Sequence, residues 1–168
     1  LPWIADTEAW IRSAVEAGLP LLGICFGHQL MAHALGGLAD YHPDGVEIGT
    51  ADITRTRASA EDPLFRGLPE VFPGHVTHSQ TARKLPEDAA LLATGSHDPH
   101  QAFRVGDHAW GVQFHPEFDA PAIREYIARR EADLLASGRD VAAIRATVRD
   151  TPESASLLRL FAEYCLTR

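Results

Sequence analysis

Hydrophobic positions recur mostly with the period of an α-helix near the two ends of the chain and mostly with the period of a β-strand in the middle. This change of period divides the chain into three parts. In the first part, apolar residues at helical spacing over residues 7–17 predict an amphipathic helix that Thr7 caps and Gly18 ends. The apolar run at residues 19–24 has the character of a strand buried on both faces. Residues 27–35 then predict a second helix, closed by two glycines. A strand, a tight turn and a helix in close succession favour a parallel α/β sheet.

The middle of the chain carries mostly strand signals. Alternating or β-branched runs predict strands at residues 46–56, 75–82 and 90–94. Two further runs, 101–105 and 109–114, flank a Gly-Asp-His sequence that is typical of a hairpin. A short helical turn is expected at the Asp-Pro-Leu-Phe sequence between the first two strands.

The last part, residues 120–168, is predicted to be helical. Asp119 is placed to cap a helix that runs to near Gly138, and Thr151 followed by proline marks the start of a final helix. The final helix is expected to bury Leu157, Leu158, Phe161 and Cys165. No repeat, low-complexity stretch or flexible linker interrupts the chain, so residues 1–168 are predicted to form one domain, with 120–168 as its helical part.

The amino-acid composition argues against some classes of function. The 168 residues carry a formal charge of −8 and a mean hydropathy of −0.12, and the acidic balance argues against a nucleic-acid groove. No apolar run approaches the ~20 residues that a membrane span needs, so no membrane location is expected. The two cysteines form no disulfide framework, which fits a reducing cytoplasm.

The sequence around Cys25 carries the strongest chemical signal. Gly23 and Gly27 surround it in a G-x-C-x-G pattern between predicted strand and helix, the thiol counterpart of a nucleophile elbow. Glycine at both positions is expected to remove collisions across a strained turn. The N–H of Phe26 would then point at a developing oxyanion, and the helix N-terminus would favour a thiolate. An isolated cysteine is more often a structural core residue, and that is the interpretation for Cys165.

A thiolate nucleophile needs a base, and one of the nine histidines stands in a suitable context. His115 ends a strong strand prediction, Pro116 stops that strand, and Glu117 follows. Residues two apart in extended backbone project to the same side, so Glu117 can orient the imidazole of His115.

Residues 23–29 (GICFGHQ) and 111–117 (GVQFHPE) together resemble the signature of the class I, triad-type glutamine amidotransferases, and the resemblance extends from about Pro2 to Asp119. It implies a flavodoxin-like α/β fold with a mostly parallel sheet and helices on both faces. It also implies that Cys25 attacks the side-chain amide of glutamine, that His115 and Glu117 complete the triad, and that no cofactor is needed. Ammonia would pass to a synthetase partner in trans.

The same resemblance suggests residues that hold the substrate. Gln29 corresponds to the side chain that holds the α-amino acid end of glutamine. His78-Ser79-Gln80 corresponds to the loop whose backbone grips the same end, which adds Ser79 and Gln80 as candidates. GMP synthases usually have an acidic residue where Gln80 stands and a residue other than histidine where His28 stands. The pattern is therefore more similar to stand-alone, GMP-synthase-like amidotransferases, whose acceptor the sequence leaves open.

Members of this family have two or three strands and a Gly-rich loop before the first helix, and the loop supplies a second oxyanion N–H. Residues 1–168 contain no match to that segment, so the chain is expected to be incomplete at its N-terminus.

Two other functions on the same fold stay open at this point: a free-standing γ-glutamyl hydrolase or peptidase, and a non-enzymatic regulatory protein. His-x-x-His at 75–78 and the histidines at 97 and 100 suggest a metal only weakly, since no cysteine stands at ligand spacing, and no metal is expected. The oligomeric state is also open, with a homo-oligomer among the alternatives.

Overall fold

The computed structural model describes residues 2–167, which form two β-sheets and six α-helices. The strands are β1 (Leu21–Ile24), β2 (Leu38–Tyr41), β3 (Glu47–Arg55), β4 (Val71–His78), β5 (Gln80–Lys84), β6 (Ala90–Gly95), β7 (Ala102–Val105) and β8 (Ala109–Val112). The helices are α1 (Pro2–Glu16), α2 (Phe26–Ala34), α3 (Ala120–Arg129), α4 (Glu131–Ala136), α5 (Val141–Thr147) and α6 (Pro152–Leu166), with a 3₁₀ turn at Arg57–Glu61.

The main sheet has six strands in the order β1-β8-β7-β6-β3-β4, and β2 pairs with β5 in a separate two-stranded sheet. Within the described residues, β1 and β8 are parallel and the other pairs of the main sheet are antiparallel. The expected mostly parallel sheet is therefore wrong for this part of the chain. The physical reason is connection length: β7 and β8 are joined by a tight turn through Gly106, and short turns can only join antiparallel strands.

Helices cover both faces of the main sheet, as predicted. On one face α1 and α2 bury Ile11, Met31 and Ala32 against Phe103 and Ala109 of the sheet. On the other face α6 packs Leu157 and Phe161 into the largest apolar cluster, which also holds Trp110 and Phe114. A third cluster packs α3, α4 and α5 together beside β3. The α/β class of fold predicted from the sequence is confirmed.

Several predicted boundaries change in the structure. The single strand predicted over residues 75–82 is two strands, β4 and β5, which belong to different sheets and meet at Ser79. The helix predicted from Asp119 to near Gly138 breaks at Arg130, and α5 was not predicted. Asp119 does cap α3, since its Oδ1 accepts from the N–H of Ala122 at 2.8 Å.

One predicted cap and one predicted core position are wrong. The hydroxyl of Thr7 donates to the carbonyl of Trp3 inside α1, which begins earlier than predicted. Thr151 stands at the N-cap of α6 ahead of Pro152, as predicted, although its side chain makes no capping bond. Leu158 is partly exposed on α6, while Leu157 beside it is buried. None of the helices within residues 2–167 has the length and apolar character to span a bilayer.

Candidate active site

Cys25 occupies the turn between β1 and α2. Its backbone has φ 47° and ψ −99°, and no other non-glycine residue within 2–167 has positive φ. Such backbone costs on the order of 1–3 kcal/mol and persists only where the surroundings enforce it. Two hydrogen bonds do so here: the N–H of Cys25 donates to Val112 at 2.8 Å, and its carbonyl accepts from Gln29 at 3.1 Å. The predicted strained elbow is therefore present.

The two elbow glycines have different roles. A Cβ added at Gly23 would lie 2.6 Å from the carbonyl oxygen of Gly27, a contact that only glycine avoids. A Cβ added at Gly27 would meet nothing within 4 Å. The expectation that both glycines prevent a collision is thus wrong for Gly27, because Gly27 is already in the helix and its Cβ would point into open space.

The helix that follows places a positive partial charge near the sulfur. α2 begins at Phe26, so the first N–H groups of the helix have no acceptor inside it and are free to bind an anion. The Phe26 side chain is 46 % exposed beside the elbow and contacts the ring of Trp3. The N–H of Phe26 follows the nucleophile candidate directly and belongs to the first turn of α2.

His115 lies just beyond β8, which pairs with β1 and so brings the histidine to the elbow. Its Nδ1 is 2.7 Å from Oε1 of Glu117, the neighbour that the sequence predicted. The N–H of His115 donates to the carbonyl of His75 at 2.7 Å, and its ring stacks on Phe118 with the centroids 4.2 Å apart. These contacts hold the imidazole in one orientation.

Opposing effects set the proton affinity of His115. Burial lowers its pKa, but interactions with the thiol of Cys25 and with the carboxylate of Glu117 outweigh burial and raise the pKa to about 9. Glu117 occupies Nδ1 of the ring. The other ring nitrogen, Nε2, is buried and makes no hydrogen bond of standard geometry within residues 2–167. Nε2 is therefore the atom available to exchange a proton with Cys25. At neutral pH the ring is therefore protonated, and its positive charge lies beside the side chain of Cys25.

A cleft of about 260 Å³ opens beside Cys25. It brings together three further residues predicted from the sequence, Gln29, Ser79 and Gln80. Tyr41, which is 67 % exposed, stands on the same cleft. Residues from α2 and from the junction of β4 and β5 thus share one cavity with the elbow thiol.

Gln29 is buried rather than on an exposed helix face. Its Nε2 donates to the carbonyl of Gln80 at 2.6 Å and to Oε1 of Gln113 at 3.0 Å. A carboxamide nitrogen has two hydrogens, so both are used and Oε1 is left to accept from a ligand. The hydrogen-bonding capacity that remains on this side chain is therefore that of an acceptor.

A buried polar network supports the loop that carries Ser79 and Gln80. The two ring nitrogens of His78 lie 2.9 Å from the carbonyl of Gln80 and 2.8 Å from Oε2 of Glu47. Both partners are hydrogen-bond acceptors, so each ring nitrogen of His78 has an acceptor within reach. Oε2 of Glu47 also accepts from Nε2 of Gln101 at 3.0 Å. Glu47 of β3 and Gln101, which precedes β7, therefore support the loop through His78.

The sequence predicted no role for Glu47 or Gln113, and it placed His78 only in the substrate-gripping loop and in a weak metal signal. The contact between Glu47 and His78 joins residues that are 31 positions apart in the chain. Gln113 is fully buried, and its Nε2 lies 3.5 Å from Sγ of Cys25. Its position two residues before His115 was the available signal, because both side chains project to the same side of an extended segment.

Two other buried histidines near the site are held neutral. Burial is the main cause that lowers the pKa of His28 to about 4, against the opposing charge of Asp98. Burial also lowers the pKa of His75, whose Nδ1 lies 3.0 Å from the hydroxyl of Thr50. Over residues 2–167, no three histidine, cysteine or acidic side chains are grouped closely enough to hold a metal ion.

A cysteine at a strand–turn–helix elbow, with a carboxylate-bound imidazole beside it, is the arrangement of α/β enzymes that cleave carbonyl compounds through a thioester. The family model for glutamine amidotransferase class-I matches residues 4–132. The chain belongs to that family, and the resemblance predicted from the two motifs is confirmed.

Relatives with similar sequences are glutamine-hydrolyzing GMP synthases. The protein from Thermosipho africanus is 38 % identical over 104 residues, which cover 61 % of this chain and 19 % of the relative. The protein from Thermomicrobium roseum is 39 % identical over 116 residues, which cover 69 % of this chain and 20 % of the relative. The chain thus matches about a fifth of the length of these relatives.

Solved structures agree on the fold. A glutamine amidotransferase from Thermotoga maritima superposes with a TM-score of 0.81 at 27 % identity, covering 100 % of this chain and 71 % of the other. A glutamine amidotransferase from Methylobacillus flagellatus gives a TM-score of 0.74 at 28 % identity, covering 99 % of this chain and 68 % of the other.

Proposed function

We propose that this chain hydrolyses L-glutamine to glutamate and ammonia, with Cys25 as nucleophile, His115 as acid and base, and Glu117 as the carboxylate that orients His115. The observation that carries the proposal is that one cleft combines the strained elbow thiol with the inward-facing carboxamide of Gln29 and the Ser79–Gln80 loop. Family membership supports the same chemistry.

The reaction follows from these positions. The sulfur of Cys25 attacks the side-chain carbonyl carbon of glutamine, and the N–H of Phe26 stabilises the resulting oxyanion. The C–N bond then breaks, and ammonia leaves with a proton from Nε2 of His115. A γ-glutamyl thioester remains on Cys25. Water attacks this thioester as His115 takes its proton, the C–S bond breaks, and glutamate leaves.

Substrate recognition is assigned to Gln29 and to the Ser79–Gln80 loop, which line the same cleft as Cys25. The free Oε1 of Gln29 accepts from the α-ammonium group of glutamine, and the backbone of Ser79 and Gln80 binds the same end of the molecule. The buried contacts of His78 to Gln80 and Glu47 keep this loop in place.

The ammonia is proposed to pass to a synthetase in trans. The similar relatives are glutamine-hydrolyzing GMP synthases, so a GMP-forming synthetase is the first partner to test. Mixing the purified protein with such a synthetase and measuring GMP formation with glutamine as the nitrogen source tests this step. Formation that proceeds with free ammonia but not with glutamine would reject the pairing.

The hydrolysis itself is tested with purified protein by measuring ammonia and glutamate released from glutamine. Cys25→Ala is expected to lower kcat by about a thousandfold or more, because nothing else in the cleft can form the thioester. Cys165→Ala, at the chain's other cysteine, is the matched control and should keep kcat within about twofold. Full activity in Cys25→Ala contradicts the mechanism, and faster turnover of a γ-glutamyl peptide than of glutamine would assign the chain to γ-glutamyl hydrolysis.

A further inference from the structure

Gln113 bridges the candidate nucleophile and the candidate substrate-binding glutamine. It follows β8, and its side chain is fully buried. Its Oε1 lies 3.0 Å from Nε2 of Gln29, and its Nε2 lies 3.5 Å from Sγ of Cys25. One carboxamide therefore contacts both halves of the site, although no role for it follows from the triad.

The orientation of this carboxamide is determined by its neighbours. The backbone carbonyl of Gln80 can only accept, so the group of Gln29 that lies 2.6 Å from it must be the nitrogen. The second hydrogen of that nitrogen then points to Gln113, which must present its oxygen. The NH₂ group of Gln113 is consequently turned toward the sulfur of Cys25. A single backbone carbonyl thus fixes the direction of two successive side-chain amides.

We propose that Gln113 is a positioning residue that donates a hydrogen bond to the thiolate of Cys25 and locks the amide of Gln29 with its oxygen free for substrate. The second half of this inference rests on the proposed glutaminase function; the first half does not. A hydrogen bond to a charged sulfur is stronger than one to a thiol, so the N–H of Gln113 stabilises the reactive form. The helix N-terminus and His115 act on the same charge from other directions.

The two hydrogen bonds of Gln113 also connect substrate binding at Gln29 with the reactivity of Cys25. Displacement of Gln29 would withdraw its hydrogen from Oε1 of Gln113 and free that carboxamide to rotate away from Cys25. The structure assigns to Gln113 a path of two hydrogen bonds between the residue that receives the substrate amine and the atom that attacks the substrate amide.

The test separates the two contacts with two variants in a Cys165→Ser background, so that only Cys25 reacts with iodoacetamide. Gln113→Glu keeps an oxygen toward Gln29 but turns a second oxygen toward the sulfur. Its alkylation profile against pH is expected to shift upward by about one unit or more, with about tenfold slower alkylation at pH 7. Its KM for glutamine should change by less than about threefold, because the acceptor for Gln29 remains.

Gln113→Met has similar volume, no donor and no charge. A smaller upward shift of the alkylation profile is expected, together with a KM for glutamine raised by about fivefold or more, since the amide of Gln29 loses its second acceptor. Ser154→Ala is the control: Ser154 is equally buried, but its hydroxyl donates to the carbonyl of Thr151 at the start of α6 and not to the site, so the alkylation profile should not move.

Thermal unfolding of each variant decides which one is interpreted; if Gln113→Glu does not fold, Gln113→Met carries the test. Profiles that superimpose on the parent in every folded Gln113 variant overturn the proposal, as does an equal shift in Ser154→Ala. Because alkylation requires no glutamine turnover, a shifted profile in a protein without glutaminase activity would keep the contact to Cys25 and reject only the proposed function.

Discussion

Nδ1 of His115 and Oε1 of Glu117 lie 2.7 Å apart across one proline. The short separation commits one ring nitrogen to the carboxylate and leaves the other for Cys25. Glu117 is 38 % exposed at its side chain while that of His115 is 11 % exposed, so the pair runs from solvent toward the half-buried Cys25. The partly exposed carboxylate of Glu117 is therefore one of the two groups, after Cys25, that raise the pKa of the buried imidazole.

Replacing Glu117 by glutamine should lower kcat for glutamine hydrolysis by about 10²–10⁴-fold, because the imidazole loses both its orientation and a stabilising charge. Burial lowers the pKa of His115, and Cys25 and Glu117 raise it to about 9, so loss of the carboxylate lowers the pKa. The imidazolium is then lost at lower pH, and the alkaline limit of kcat/KM should move downward. A pH profile of kcat/KM with the same alkaline limit as the parent would contradict this role of Glu117.

Alanine at the two elbow glycines should have opposite effects. Gly23→Ala puts a Cβ 2.6 Å from a backbone oxygen and is expected to destabilise the protein by about 2–3 kcal/mol and to displace Cys25. Gly27→Ala meets open space within α2 and should leave the free energy of unfolding equal or up to about 1 kcal/mol higher. Urea unfolding of both variants makes the comparison. Equal destabilisation by the two changes would show that the steric assignment to Gly23 is wrong.

Removing the charge of Glu47 should weaken substrate binding more than chemistry. In Glu47→Gln the carboxylate that binds His78 is lost, the Ser79–Gln80 loop loosens, and KM for glutamine should rise by about tenfold with a smaller change in kcat. Asp52→Asn on the same strand is the control, because its ion pair with Arg149 is exposed and contributes little. Steady-state kinetics of the two variants should therefore differ clearly. Unchanged KM in Glu47→Gln would remove the loop-supporting role of the network.

Buried His28 should make the fold sensitive to acid. Burial is the main cause that lowers the pKa of His28 from 6.5 to about 4. Between about pH 4 and pH 6.5, His28 is therefore protonated in the unfolded chain and neutral in the folded chain. Stability is thus present above about pH 6.5 and decreases as the pH falls toward 4, by at most about 3 kcal/mol for this group. His28→Leu should flatten this part of the curve of unfolding free energy against pH. A slope unchanged from the parent between pH 4 and 6.5 would rule out His28 as the cause.

Local features of the site were predictable because the residues that create them are close in sequence. The elbow at Cys25 needs Gly23 and the start of α2, and the His115–Glu117 pair needs only an extended segment and one proline. The hairpin through Gly106 was predictable for the same reason. The division of residues 75–82 into two strands at Ser79 was not predictable. β4 and β5 have similar patterns of hydrophobic residues, and they differ only in pairing with strands of different sheets.

The sequence by itself determined the nucleophile candidate, its base and its carboxylate, since strict local geometry limits which residues fit an elbow and a strand end. Only the tertiary structure decided what surrounds them: that Gly27 is free of steric demand, that His78 binds Glu47, and that Gln113 joins Gln29 to Cys25. These contacts depend on which strands become neighbours. Strand pairing is set by the packing of the whole core, so a hydrogen bond between side chains 84 or 88 positions apart leaves no periodic signal in the chain.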